Sequence, residues 1–96
     1  MIVSFADAAT EALYHDPSDR RARRFPRDVV AVALRKLDML DAAHALLDLR
    51  VPPGNRLEAL KGDLRGRHSI RVNDQWRLVF RWTDLGPTDV RLTDYH

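Results

Sequence analysis

The stretch "QWRLVFRW", Gln75 to Trp82, decides the fold of this chain. Its even positions are all apolar: Trp76, Leu78, Phe80 and Trp82. Two of its odd positions are arginine, Arg77 and Arg81. Side chains of a β-strand alternate between two faces, so this period of two predicts a strand with an apolar core face and a basic open face.

Three further segments of the C-terminal half have the composition of strands: "RLEALK" (56–61), "HSIRV" (68–72) and "DVRLTDY" (89–95). Turn-forming residues separate them, as expected for an antiparallel sheet. In "HSIRV" the apolar residues are even-numbered and Arg71 is odd. If Asn73 and Asp74 form a two-residue hairpin turn, we expect Arg71 and Arg77 on the same open face.

The N-terminal half predicts one short strand and two or three helices. The strand is "IVSF" (2–5), and the first helix is "ADAATEALYH" (6–15). In "PRDVVAVALRKLDML" (26–40) apolar residues recur at helical spacing, and Asp41 is placed to cap a shorter helix, "AAHALLDL" (42–49). The order β-α-α-β-β-β-β predicts an α+β fold in one domain, residues 1–96, with the helices packed on one face of a small twisted antiparallel sheet.

The composition excludes several classes of protein. The 96 residues contain no cysteine, which excludes disulfides and thiolate metal sites. The N-terminus lacks the features of a signal peptide, and no segment approaches the ~20 apolar residues of a membrane span. We therefore expect a cytoplasmic protein without a membrane partner.

Arginine dominates the positive charge of the chain. Only two of the 16 basic residues, Lys36 and Lys61, are lysine. Arginine offers a planar fork that suits phosphate, although GC-rich coding also produces arginine-rich chains. Five arginines but one acid, Asp74, lie between residues 65 and 81, so the open face predicts a phosphate-bearing partner. A second cluster, "RRARRFPR" (20–27), is either a phosphate-binding patch or a solvated helix entry.

RNA cleavage without a metal ion needs a base for the 2′-hydroxyl proton, a cation for the phosphoryl charge and an acid for the leaving 5′-oxygen. The four histidines are scattered without metal-ligand spacing, so chemistry without metal or cofactor is the simpler hypothesis. Glu58, Arg77 and His96 could fill the three roles in that order. Each also has a structural interpretation: a surface carboxylate, a partner for an acid such as Asp63, and a frayed chain end.

The segment "NRLEALKGDLRGRHSIRVNDQWRLVFRW" (55–82), followed by "DVRLTDYH" (89–96), closely resembles the HigB-type toxins of the RelE/ParE toxin–antitoxin superfamily. The start "MIVSF" and the segment "LRKLDMLDAA" fit the resemblance as well. It implies a RelE-like fold and endoribonuclease cleavage of mRNA in the ribosomal A site. It also implies a HigA-type helix-turn-helix antitoxin as partner, so that operator DNA would be reached only through that antitoxin.

The resemblance also implies a set of site residues: Lys61, Arg77, Asp94, Tyr95 and His96. Some relatives have histidine at the position of Glu58, whereas other members of the superfamily have a glutamate there in a Glu–Arg–His set. We therefore expect Glu58 as the general base, with Lys61 as the other candidate. Phosphate binding is expected from three arginines of the open face: Arg67, Arg71 and Arg81.

Two other functions remain open from the sequence. The superfamily includes gyrase-inhibiting toxins of the ParE type, which use the same fold without a ribonuclease site. A toxin homologue with weak catalysis could instead act only as the binding partner of its antitoxin.

Overall fold

The structure is a computed structural model that describes residues 1–94; Tyr95 and His96 lie outside the described residues. The helices are α1 (Ala8–His15) and α2 (Arg27–Ala42). The strands are β1 (Glu58–Ala59), β2 (His68–Arg71), β3 (Trp76–Thr83) and β4 (Gly86–Asp94). They form an antiparallel sheet in the order β1-β2-β3-β4, which is the predicted α+β arrangement.

The core lies between the helices and one face of the sheet. Leu78 and Phe80 of β3 are fully buried, as the period of two predicted. They pack in one cluster with apolar residues of α2: Val29, Ala33, Leu37 and Leu40. Each fully buried valine, leucine or phenylalanine side chain contributes about 1.5–3 kcal/mol through the removal of apolar surface from water. Neither helix within residues 1–94 has the length and apolarity required to cross a bilayer.

The predicted first strand pairs with β4 over only a few residues. The N–H of Val3 donates to the Pro87 carbonyl (2.8 Å), and that of Ala6 donates to the Val90 carbonyl (2.9 Å). One parallel bridge joins Phe5 to Val90. The N-terminal segment therefore extends the sheet beyond β4, although it is too short to form a regular strand.

The prediction of a third α-helix capped by Asp41 is wrong. Helix α2 continues to Ala42, and the Asp41 carboxylate accepts a hydrogen bond from the Ile2 N–H (2.9 Å) instead of capping a helix. The segment Leu46–Arg50 is a short 3₁₀ helix. Its first turn is closed by Asp48, whose Oδ2 accepts from the His44 and Ala45 N–H groups at 3.0 Å each.

The hairpin between β2 and β3 is one residue longer than predicted. Arg71 pairs with Arg77, and the N–H of Asn73 donates to the Trp76 carbonyl at 3.2 Å. The Asn73 side chain stabilises this longer loop, because its Oδ1 accepts from the Gln75 and Trp76 N–H groups at 2.8 and 2.7 Å. A two-residue turn would have placed Arg71 opposite Trp76 and on the core face, so the expectation that such a turn puts both arginines on the open face is wrong. The additional loop residue is therefore the reason that both arginines lie on the open face.

Candidate functional site

Two rows of residues cross the open face, which we define as the sheet face opposite the buried Leu78 and Phe80. One row contains, from β1 to β4, Glu58, Ser69, Val79 and Arg91. The adjacent row contains Arg71, Arg77 and Thr93. Facing residues of neighbouring strands lie about 4.5–5.5 Å apart at Cα, so the side chains of each row are direct neighbours, although Ser69 and Val79 are buried.

The guanidinium of Arg77 is fixed by two hydrogen bonds that reach across β2. Its Nε donates to the Ser69 hydroxyl at 2.8 Å, and its Nη2 donates to the Arg56 carbonyl at 2.7 Å. Arg56 lies two residues before Glu58 and has a left-handed backbone, with φ 45° and ψ 57°. The guanidinium is therefore directed from the centre of the sheet towards the strand that contains Glu58.

Sequence reasoning missed Ser69. The side chain is fully buried and its hydroxyl accepts the hydrogen bond from Arg77. A small polar residue at an odd position of β2, between Arg67 and Arg71, was the available signal. Its open-face position follows from the same period of two that placed the arginines there.

Glu58 is exposed on the open face, one strand beyond Ser69. Its strand is much shorter than predicted, because the left-handed Arg56 precedes it and a 3₁₀ turn, Gly62–Leu64, follows. Within residues 1–94 no hydrogen bond or ion pair occupies its carboxylate, so the side chain is available to accept a proton. The predicted base and the predicted cation therefore share one face, with Ser69 between them.

Arg71 is held by the hairpin loop. Its Nη2 pairs with Oδ1 of Asp74 at 2.5 Å, and the Asp74 side chain is fully exposed. The hydrogen bond from Arg71, together with its positive charge, lowers the pKa of Asp74. Arg71 therefore lies beside Arg77 but points towards the end of the hairpin, where phosphate would compete with an exposed carboxylate.

The other predicted phosphate ligands have different surroundings. Arg67 is half-buried, with Nη1 4.0 Å from Oδ2 of Asp89. Arg81 is exposed and pairs with Thr88 beyond an irregularity in the β3–β4 register. Lys61 is exposed immediately before the Gly62–Leu64 turn. Of these three cations, Arg67 lines a cavity together with Val79 and Arg91 of the first row.

At the end of β4, Asp94 pairs with Trp76 and its Oδ2 accepts a hydrogen bond from Nε2 of Gln75 at 2.8 Å. The preceding residue, Thr93, lies opposite Arg77. The predicted site residues Tyr95 and His96 follow directly in the sequence, but they lie outside the described residues. Strand β4 therefore ends beside the Arg77 row, and Glu58 lies on the other side of Arg77.

A cavity of 360 Å³ opens on the same face next to these rows. Val79 lies among its lining residues together with five charged ones: Asp63, Arg67, Asp89, Arg91 and Asp94. Asp63, which the sequence offered as a partner for Arg77, lines this cavity. The mixed charge of the cavity was not foreseen, because the charged residues come from two separate segments of the chain, 63–67 and 89–94. Within residues 1–94, no group of His, Asp and Glu side chains has the arrangement of a metal site.

A search of solved structures supports the fold. The solved structure described as the YoeB-YefM complex from Staphylococcus aureus contains a chain with a TM-score of 0.62, over 100% of this chain and 98% of that one, at 19% identity. At this identity the match shows the fold alone. It agrees with the RelE-like architecture expected from the sequence.

Sequence comparisons define the family. The chain is 50% identical over 84 residues to Toxin HigB-1 of Vibrio cholerae serotype O1, covering 88% of this chain and 86% of that protein. It is 42% identical over 59 residues to an uncharacterized protein of Haemophilus influenzae, covering 62% and 58%. A family model described as the RelE-like toxin of the type II toxin–antitoxin system HigB matches residues 3–96. This chain therefore belongs to the HigB-like toxins of type II toxin–antitoxin systems.

Proposed function

We propose that this toxin is an endoribonuclease that cleaves mRNA in the ribosomal A site and thereby inhibits translation. The observation that supports this most directly is the fixed guanidinium of Arg77 on the same sheet face as Glu58 and Arg71. A cation held in place before the substrate arrives can stabilise developing negative charge on a phosphoryl group without reorganisation. The adjacent cavity gives room for part of a nucleotide.

The proposed reaction uses the 2′-hydroxyl of the substrate as nucleophile. Glu58 takes the hydroxyl proton, the 2′-oxygen bonds to phosphorus, and the bond from phosphorus to the 5′-oxygen breaks. His96 protonates the leaving 5′-oxygen. The products are a 2′,3′-cyclic phosphate and a 5′-hydroxyl, with no metal or cofactor in the reaction. Arg77 stabilises the charge that forms on the phosphoryl oxygens.

The remaining predicted site residues have supporting roles in this proposal. Arg67, Arg71 and Arg81 bind flanking phosphates. Asp94 and Tyr95 assist His96. Lys61 binds phosphate, and it is the alternative base if Glu58 is not the proton acceptor.

Dependence on the ribosome follows from the strength of the base. A carboxylate is a weak base for a hydroxyl group. Most of the acceleration must then come from holding the 2′-oxygen in line with the leaving group, which a small exposed face cannot do for a flexible RNA strand. We infer that mRNA ordered in the A site is the substrate and that free RNA is a poor one.

The partner is an antitoxin, as membership of a type II toxin–antitoxin family requires. We propose that it is of the HigA type, with a helix-turn-helix domain, and that the toxin contacts operator DNA only through it. The arginine-rich open face offers a complementary surface to any anionic segment of such a partner.

Mapping of RNA 5′ ends in cells tests the proposed function. Cells would express the wild-type toxin or Arg77→Ala together with a translated reporter mRNA and a copy whose start codon is removed. The proposal predicts new 5′ ends only in the translated reporter and only with wild type. Broken chromosomal DNA without cut mRNA would instead show a gyrase-inhibiting toxin, and growth arrest that persists in Arg77→Ala would contradict the catalytic role of the open face.

A further inference from the structure

The Arg56 carbonyl, which accepts a hydrogen bond from Arg77, is positioned by two buried polar residues. We call these two residues the Lys36–Asn55 pair. Asn55 is fully buried and comes immediately before Arg56 in the chain. The Nζ of Lys36, on α2, donates a hydrogen bond to Oδ1 of Asn55. Lys36 is also buried, with 7% of its surface exposed.

The amide of Asn55 fixes the loop that leads to β1. Its Nδ2 donates to the Leu49 carbonyl at 3.1 Å and to the Val51 carbonyl at 3.4 Å. A buried carbonyl group without a partner is unfavourable, so this side chain satisfies the buried Leu49 carbonyl and also binds the partly buried Val51 carbonyl. The loop is consequently tied to α2 at one point, directly beside the residue whose carbonyl faces Arg77.

The backbone conformation of Arg56 makes the position of its carbonyl depend on the surrounding contacts. A left-handed conformation is unusual for arginine, and it persists only where the surrounding contacts impose it. The N–H of Arg56 donates to the Pro53 carbonyl at 3.1 Å, and its own carbonyl accepts from Arg77 at 2.7 Å. A shift of the loop would therefore move the acceptor of Arg77.

We propose that Asn55 is a positioning residue that fixes the guanidinium of Arg77 through the Arg56 carbonyl, and that Lys36 holds Asn55 in place. This inference rests on the proposed function, because it assigns a catalytic consequence to the position of Arg77. The position of Arg77 should matter because a misplacement of about 1 Å in a charge-stabilising group can reduce the reaction rate by about 100-fold.

The test compares Asn55→Ala with Thr10→Val in single-turnover cleavage of mRNA on programmed ribosomes at saturating toxin. Thr10 is a matched control: it is also fully buried, and its hydroxyl accepts from the Leu92 N–H at 3.0 Å, away from Arg56. Both variants lose buried hydrogen bonds and some stability. Only Asn55→Ala is expected to lower the saturating rate, by about 10- to 100-fold, with little change in the half-saturating concentration.

Two further readouts separate positioning from general destabilisation. In an Arg77→Lys background, Asn55→Ala is expected to lower the cleavage rate by a smaller factor than it does in wild type, because both changes act through one contact. The NMR resonance of the Arg77 Nε–Hε group is expected to shift in Asn55→Ala but not in Thr10→Val. This resonance requires no catalysis, so it tests the positioning even if wild type proves not to be a nuclease.

Should Asn55→Ala fail to fold, Lys36→Met tests the same link, because it releases Oδ1 while keeping the hydrogen bonds of Asn55 to the loop. It is expected to shift the Arg77 resonance and slow cleavage by a smaller factor. A wild-type rate and an unmoved resonance in whichever of the two variants folds would overturn the inference.

Discussion

Arg71 of β2 lies directly opposite Arg77 of β3, yet the two guanidinium groups are held in different ways. Arg71 pairs with the exposed carboxylate of Asp74, whereas Arg77 donates to a buried hydroxyl and to a backbone carbonyl. An exposed ion pair is readily exchanged for another anion, but a side chain held by a buried hydroxyl and a backbone carbonyl keeps its position. Arg71 is thus suited to binding phosphate, and Arg77 to stabilising a transition state.

Removal of the Ser69 hydroxyl should weaken catalysis more than folding. Ser69→Ala deletes the acceptor of the Arg77 Nε group and leaves the other hydrogen bond intact. We expect a loss of stability of about 1 kcal/mol and a cleavage rate about 10-fold lower, measured by urea unfolding and single-turnover kinetics. Ser18→Ala, at an exposed serine that bonds Asp16, should change neither. An unaltered rate in a folded Ser69→Ala variant would show that the hydroxyl does not position Arg77.

Substitution of the proposed base should cost most of the activity. Glu58→Gln keeps the shape of the side chain but cannot accept the 2′-hydroxyl proton, so the cleavage rate should fall by about 10²–10⁴-fold. Asp84→Asn, at another exposed carboxylate on the far β3–β4 turn, is the matched control and should cleave normally. A larger loss in Lys61→Met than in Glu58→Gln would assign the base to Lys61.

Neutralisation of Asp74 should strengthen substrate binding. Asp74→Asn removes the carboxylate that competes with phosphate for Arg71, so the half-saturating concentration should fall, and more so at low salt, where charge interactions are less screened. The saturating rate should remain unchanged. Titration of cleavage at two salt concentrations measures both quantities. Weaker binding in Asp74→Asn would mean that the ion pair presents Arg71 to the substrate rather than occupying it.

Lys36 should make the stability of the protein depend on pH. Burial, and then the charges of Arg35 and Arg71, lower the pKa of its ammonium group. The unfolded chain therefore binds more protons than the folded one as pH approaches the ordinary lysine value, ~10.4, and the free energy of unfolding should rise with pH in that range. In Lys36→Met this contribution is absent.

Urea unfolding of wild type and Lys36→Met at several pH values between about 7 and 10 measures the effect. The free energy of unfolding of wild type should increase relative to that of Lys36→Met as pH rises. A difference that stays constant over this range would show that the ammonium group has an ordinary environment.

The face of β3 was predictable from the sequence because alternation depends only on local geometry. The period of two in residues 75–82 placed Leu78 and Phe80 in the core and Arg77 on the open face, as found. The spacing of apolar residues likewise predicted α2. Both signals arise within one element and need no knowledge of its neighbours.

Features that depend on contacts between segments were missed. The Asp41 cap was wrong because that carboxylate binds the distant Ile2 N–H. The hairpin length was wrong because the Asn73 side chain selects a longer loop. The sequence position of Ser69 indicated its face but not its partner, and Asn55 gave no signal of its own. Each acts on a residue that folding brings near: Arg77 and Lys36.

The most direct test of the central claim, cleavage by 2′-hydroxyl attack on the Arg77 face, uses an mRNA with one 2′-deoxynucleotide at the mapped cleavage position. The purified toxin acts on this mRNA and on its all-ribose counterpart in programmed ribosomes. We expect the all-ribose mRNA to yield 2′,3′-cyclic phosphate and 5′-hydroxyl ends, and the deoxy mRNA to remain intact at that position. Cleavage of the deoxy mRNA at the same rate would contradict the mechanism.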